Sequence, residues 1–252
     1  MMRITQAHIS GSVKFFSKGF REKYGLQPYF HNDRPLAIFG MYRPEDYNLL
    51  VKHKQPIVVV WCGSDGLQIN EQRAGVLRSR PDASHIAQSS FISDDLKKWG
   101  IPHKVLPVTP AQVDLKPEPR GDAVYCYYGA EWAKEFYGYD TAREVVKRTG
   151  LKSYFATSKS YTSNELMEVY KDCFIGLRLT RHDGVSVTAV ELGMMGRRCV
   201  FNGDSPNSIK WTGVDDICES VMDEFEIRKK NNIAISERVK DYLNIGDQWL
   251  NV

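Results

Sequence analysis

The chain alternates short, continuously apolar runs with longer amphipathic stretches. This is the rhythm of strands covered on both faces and of the helices that cover them. Residues 35–42 read Pro-Leu-Ala-Ile-Phe-Gly-Met-Tyr and residues 56–62 read Pro-Ile-Val-Val-Val-Trp-Cys, and each run predicts a buried parallel strand. Between them Pro44 opens a helix to about His53, a position where proline costs no hydrogen bond. Gly63-Ser64-Asp65-Gly66 ends the second run. Residues 70–80 then predict a helix and residues 85–88 a brief strand. Residues 93–99 predict a helix capped by Ser93 and stopped by Gly100, and residues 104–108 a further strand.

Four prolines between Pro107 and Gly121 interrupt the pattern and predict an inter-domain linker. The rhythm then restarts. Residues 123–128 predict a strand, 141–148 a helix ended by Gly150, 153–156 a strand, and 163–171 a helix capped by Ser163. A strand at Cys173, a short helix from Val187 and a strand at Cys199 follow, and residues 215–230 and 235–243 close the chain as helices. The expectation is an α/β protein of two Rossmann-like domains, 1–110 and 121–252, joined through about 107–121.

Composition narrows this picture without changing it. A hydrophobic share of 42%, a charged share of 26% and a formal charge of +3 describe an ordinary globular protein, and the charge neither requires nor excludes nucleic acid. No apolar run approaches the roughly 20 residues of a membrane span. The start, Met-Met-Arg-Ile-Thr-Gln-Ala-His, lacks the apolar centre of a secretory signal. Cys126, Cys173 and Cys199 lie in apolar runs, as buried reduced thiols do, so the expected compartment is the cytoplasm. The histidines and cysteines show no His-x-x-x-His or Cys-x-x-Cys spacing, and no Asp-x-Asp occurs, so no metal site is expected.

The chemistry concentrates in residues 173–202, read as strand, glycine-bearing loop, short helix, glycine stop and strand. Ser186 is the expected N-cap of the helix from Val187, and Gly184 lets the backbone approach a ligand. The first amides of such a helix, including those of Val187 and Thr188, have no partner within it and suit a phosphate. Glu191 lies one turn in, on the face shared by Val187 and Thr188, where a carboxylate can accept both hydroxyls of a ribose. Asp183 precedes the helix, and Arg178 ends the preceding strand, where a guanidinium can meet a phosphate bidentately. Each has a structural alternative: Glu191 as a solvated helix residue, Asp183 as a turn former, Arg178 as an ion-pair partner.

Asp183, seven intervening residues, Glu191, and then Gly196-Arg197-Arg198-Cys199-Val200 together resemble the donor-binding signature of GT-B-fold retaining glycosyltransferases, family 4 above all. Residues 85–108 are similar to the last helix and strand of that family's first domain, and residues 165–176 to the helix and strand that enter the signature. The resemblance implies a GT-B-like fold, two Rossmann-like domains facing each other across a cleft. It also implies a hexosyltransferase that moves a sugar from a nucleoside-diphosphate donor, a UDP-sugar first among them, to an acceptor hydroxyl. Retention of configuration is implied, with no metal and no cofactor beyond the co-substrate. Glu191 would hold the donor ribose, and Gly184, Ser186, Val187 and Thr188 with Lys134 and Arg178 the diphosphate. Asp183 would orient the sugar, and His182 would stabilise the leaving phosphate or serve structure alone. The family's Gly-Arg after the first strand of the second domain is here Gly129-Ala130, so Arg178 or Arg181 is expected to supply the missing charge.

On the acceptor side the candidates are Gly11 in Ser10-Gly11-Ser12, either a weak glycine loop or a plain one, with Tyr42 and with Asp65, which reads equally as a helix cap or an acceptor contact. The acceptor is left among a glycan, a lipid-linked sugar and a modified base in DNA, the last as in phage-type enzymes acting on hydroxymethylated pyrimidines. A sugar-nucleotide epimerase and a non-catalytic sugar-nucleotide-binding protein are the alternatives.

Overall fold

The computed structural model describes residues 3–111, 114–230, 232–245 and 249–250. They form two compact units. The first comprises the described residues of Met1–Ala111, His182–Val185 and Leu243–Val252, and the second those of Gln112–Arg181 and Ser186–Tyr242. Of the expected linker, residues 107–111 belong to the first unit and 114–121 to the second, while 112–113 lie outside the described residues.

The first unit is a parallel sheet of β1 (Gln6–Ile9), β2 (Gln27–Pro28), β3 (Leu36–Phe39), β4 (Ile57–Trp61), β5 (Ser84–Ala87) and β6 (Lys104–Val105), in the order β2-β1-β3-β4-β5-β6. Its helices are α1 (Ser17–Tyr24), α2 (Pro44–Lys52), α3 (Glu71–Arg78) and α4 (Ser90–Lys98). The apolar runs divide by the two-residue period of a strand. Leu36, Ile38, Ile57, Val59 and Trp61 pack with Leu50, Leu77, Ile92 and Leu96 on one face. Ala37, Phe39, Val58, Val60 and Ile86 pack with Phe20, Tyr24 and Trp249 on the other. The Trp249 ring meets Tyr24 and Phe39 edge-on, with centroids 5.2 and 5.6 Å away.

The second unit repeats the arrangement with β7 (Ala123–Tyr127), β8 (Ser153–Ala156), β9 (Cys173–Leu177), β10 (Arg198–Val200) and β11 (Ser208–Ile209), all parallel, ordered β11-β10-β9-β7-β8. It carries α5 (Tyr139–Thr149), α6 (Ser163–Asp172), α7 (Val187–Met194), α8 (Val214–Glu226) and α9 (Ile233–Ile245). Val124 and Cys126 face a core shared with α5 and α8, and Ala123 and Tyr125 face one shared with α6 and α7. Two parallel-sheet α/β units are thus the fold class that the alternating pattern predicts.

Local readings need correcting at several points. Ser89, not Ser93, caps the 90–98 helix, accepting from the Ile92 amide, and Ser93 instead bonds His103. Thr162, not Ser163, caps α6, in a capping box with Glu165. The strand expected over 104–108 ends at Val105. The pattern did not reveal β1, α1 and β2; in β1, Gln6 and His8 alternate with Ala7 and Ile9 and leave no continuous apolar run.

Candidate functional site

Both sheets follow the same order, in which the second strand lies outside the first and the third lies on its other side. The crevice beyond the carboxyl ends of the first and third strands is therefore a switch point, the usual ligand position of such sheets. In the second unit these strands are β7 and β9.

Arg178 follows β9 directly and is buried. Its guanidinium lies 4.5 Å from the ring centroids of both Tyr127 and Tyr137. Gly129 makes this possible. Its φ of +72° disfavours a side chain, and a Cβ there would collide with the Tyr137 ring. Lys134 reaches Glu131 at 2.6 Å and lies over the rings of Tyr139 and Tyr128, at 4.7 and 5.7 Å. The cations expected to meet a phosphate are thus both held against tyrosines.

α7 begins as its sequence predicts. Ser186 caps it, accepting from the Ala189 amide at 3.3 Å. The first intrahelical bond is from Val190 N to Ser186 O, so the amides of Val187 and Thr188 precede the ladder. Glu191 is half-buried one turn later, and the Tyr170 hydroxyl donates to it at 3.4 Å. Burial pushes its carboxyl up to about 7, against the Tyr170 hydrogen bond, which pulls the other way.

The remaining candidates sit in the first unit. The Asp183 carboxylate accepts from the Gly184 amide at 3.0 Å, and its carbonyl accepts from Ser89 Oγ at 2.6 Å. Gly184 fits where a Cβ would lie 2.5 Å from Gln88 Oε1 and 2.9 Å from Cys62 O. His182 Nε2 pairs with Asp95 Oδ2 at 2.7 Å, and both side chains are nearly buried.

Asp65 caps the short 3-10 helix 66–68, accepting from the Gly66 amide. It is fully buried, and its carboxylate accepts from the amides of Met41, Cys62, Gly63 and Gly66 at 2.9–3.1 Å. Burial still pushes it up to about 6, with those amides pulling it down. Its carboxylate ties together the loops that follow β3 and β4. Tyr42 lies on the same loops, and burial and Asp65 push its hydroxyl up. Gly11 opens the short 3-10 helix 11–16 after β1, and a Cβ on it would lie 2.5 Å from the Arg43 guanidinium.

The first unit thus holds Gly11, Tyr42, Asp65, His182, Asp183 and Gly184, and the second Lys134, Arg178, Ser186, Val187, Thr188 and Glu191. One group escaped sequence reasoning: Asp46, buried in the first turn of α2, bonds His8 and Ser10 from β1 and the residue after it. The first-turn acid was legible, but its partners lie 36 and 38 residues away.

No protein-family model matches the sequence, and no curated protein matches it either. Among solved structures the chain is similar to TarM, at 11% identity over 87% of this chain and 52% of that one, with a TM-score of 0.55. It is likewise similar to sucrose-phosphate synthase from Thermosynechococcus elongatus, at 10% identity over 94% of this chain and 74% of that one, with a TM-score of 0.57. A variant of TarM from S. aureus in complex with Fondaparinux, alpha-GlcNAc-glycerol and UDP aligns over 87% of this chain and 53% of that one, at 10% identity and a TM-score of 0.55. The chain spans about half the length of TarM. At these identities the likeness establishes the fold.

Proposed function

We propose that the chain is a glycosyltransferase that moves a hexose from a nucleoside-diphosphate sugar, with UDP as the leading base, to an acceptor hydroxyl. The observation that carries this reading is α7: a serine-capped helix whose first amides precede its ladder, with a half-buried glutamate one turn in. Anions bind such helix starts, and the glutamate is spaced to accept a ribose. The UDP bound by the TarM variant supports the same choice of ligand.

In this reading Glu191 holds the ribose, and the amides of Val187 and Thr188 meet the diphosphate with Arg178 and Lys134. The positive charge delivered from β9 by Arg178 replaces the arginine that Ala130 does not supply. Gly184 and Ser186 complete the backbone at the diphosphate, Asp183 orients the transferred sugar, and His182, oriented by Asp95, stabilises the leaving phosphate. The barrier is mainly cleavage of the anomeric C–O bond, so fixed cations and amide dipoles at the departing diphosphate supply most of the catalysis. Those groups take the place of a divalent ion, and configuration is retained.

The test is Glu191→Ala with a panel of UDP-sugars and acceptors. Loss of transfer by two orders of magnitude or more (~3 kcal/mol), with donor affinity weakened, is expected. Near-parental turnover would overturn the reading. Proton NMR of the product's anomeric centre reads the stereochemistry, and transfer in excess EDTA reads the metal.

A second reading, a sugar-nucleotide-binding protein without transfer, is favoured by Ala130 at the family's arginine position. It predicts thermal stabilisation by a UDP-sugar with no transfer to any acceptor.

A further inference from the structure

The first unit carries a histidine at its own switch point that the proposed transfer has not used. His8 is in β1, opposite Ile38 of β3. Its Nε2 lies 2.7 Å from Asp46 Oδ1. Asp46 accepts three further hydrogen bonds, from Ser10 Oγ at 2.7 Å and from the amides of Tyr42 and Arg43 at 3.1 and 2.8 Å. Burial acts to raise this carboxyl, but His8, Ser10 and the Arg43 amide outweigh it and hold it below the usual range.

An ionised carboxylate only accepts, so the proton of a neutral His8 sits on Nε2. Nδ1 then bears the lone pair, and it has no hydrogen-bond partner among the described residues. The side chain is 26% exposed, whereas that of Asp46 is wholly buried. The result is an oriented hydrogen-bond acceptor with access to water, next to the crevice that follows β1 and β3. A histidine serving structure alone would need only its Nε2.

We propose that His8, fixed by Asp46, receives the hydroxyl of the acceptor substrate at Nδ1, which makes this crevice the binding site for the acceptor alcohol. The inference rests on the glycosyl-transfer reading and deepens it by naming the acceptor contact. The hydroxyl donates its hydrogen to Nδ1 and keeps its oxygen lone pairs for attack. Asp46 and Ser10 are positioning residues, because they act through the imidazole.

The experiment compares the parent with His8→Gln, whose amide Nε2 can still donate to Asp46 while the Nδ1 lone pair is gone. The probes are UDP-glucose labelled in the sugar, with hydroxymethylated DNA, an oligosaccharide and a lipid-linked sugar as acceptors. Expected is a fall in kcat/KM for the acceptor of about 10-fold or more, with the affinity for UDP unchanged. Unchanged acceptor kcat/KM overturns the proposal, and so does an equal loss of UDP affinity, which marks a structural role. Absence of transfer by the parent to every acceptor overturns the underlying reading and this proposal with it. If His8→Gln does not fold, 15N NMR of the parent decides: a protonated Nε2 with a bare Nδ1 supports the assignment, and the reverse tautomer overturns it.

Discussion

The two sheets share one strand order, yet their switch points are furnished in opposite ways. Beyond β1, β3 and β4 stand buried carboxylates, Asp46 and Asp65, whose oxygens are taken up by backbone amides and by Ser10 and His8. Beyond β7 and β9 stand cations, Arg178 and Lys134, resting on tyrosine rings. A carboxylate saturated with amide donors organises loops and has little left for a ligand. A guanidinium on aromatic faces keeps its charge and is held in place by the rings. One topology therefore yields a crevice built around hydrogen-bonded acid and another built around cations held on tyrosine rings.

The largest effect that separates the two crevices is expected at Asp65. Asp65→Asn turns an amide NH2 toward four backbone donors, and urea unfolding should show a loss of about 3 kcal/mol, since buried donors are left unpaired. A loss below about 0.5 kcal/mol would refute its role as loop organiser. Arg178→Ala should instead spare stability and weaken UDP binding by about 10- to 30-fold, about 1.4–2 kcal/mol, as read by calorimetry. If stability falls and affinity does not, the cation belongs to the core and the contrast between the crevices disappears.

Glu191 sharpens the comparison through pH. Its folded carboxyl titrates near 7, above an ordinary glutamate, so the folded chain holds a proton that the unfolded chain has released. Stability from this group is present below the unfolded value and is lost as pH rises through about 7. Glu191→Gln should therefore melt above the parent at pH 8, by about 1 kcal/mol once partial exposure is discounted, and close to it at pH 5. If Glu191 holds the ribose as proposed, UDP-sugar affinity should move the other way, strengthening from pH 6 to pH 8 as its carboxylate ionises. The smallest effect is expected from Ser186→Ala, about 1 kcal/mol of stability from the lost cap of α7, with a modest drop in UDP affinity.

The sequence made legible whatever depends on neighbours in the chain. The apolar runs of β3 and β4, the proline opening α2, the Gly150 stop of α5 and the Ser186 cap of α7 all follow from local rules, and all appear. Caps were misplaced where several hydroxyls compete: Ser89, Ser90 and Ser93 at one helix, Thr162 and Ser163 at another. Packing chose among them. The tyrosines that hold Arg178 and the β1 partners of Asp46 come from distant segments, so no spacing announces them. β1 itself was hidden because its polar Gln6 and His8 are there for their hydrogen bonds rather than for packing.

Trp249 bears on how the polypeptide matures after synthesis. A ribosome completes residues 3–111 long before it reaches this indole, yet Phe39 and Tyr24 in that early segment stack their edges against it. The nascent first unit must wait with one flank of its interior unfilled until residue 249 has been made. Trp249→Ala should accordingly loosen the part of the molecule that was made first.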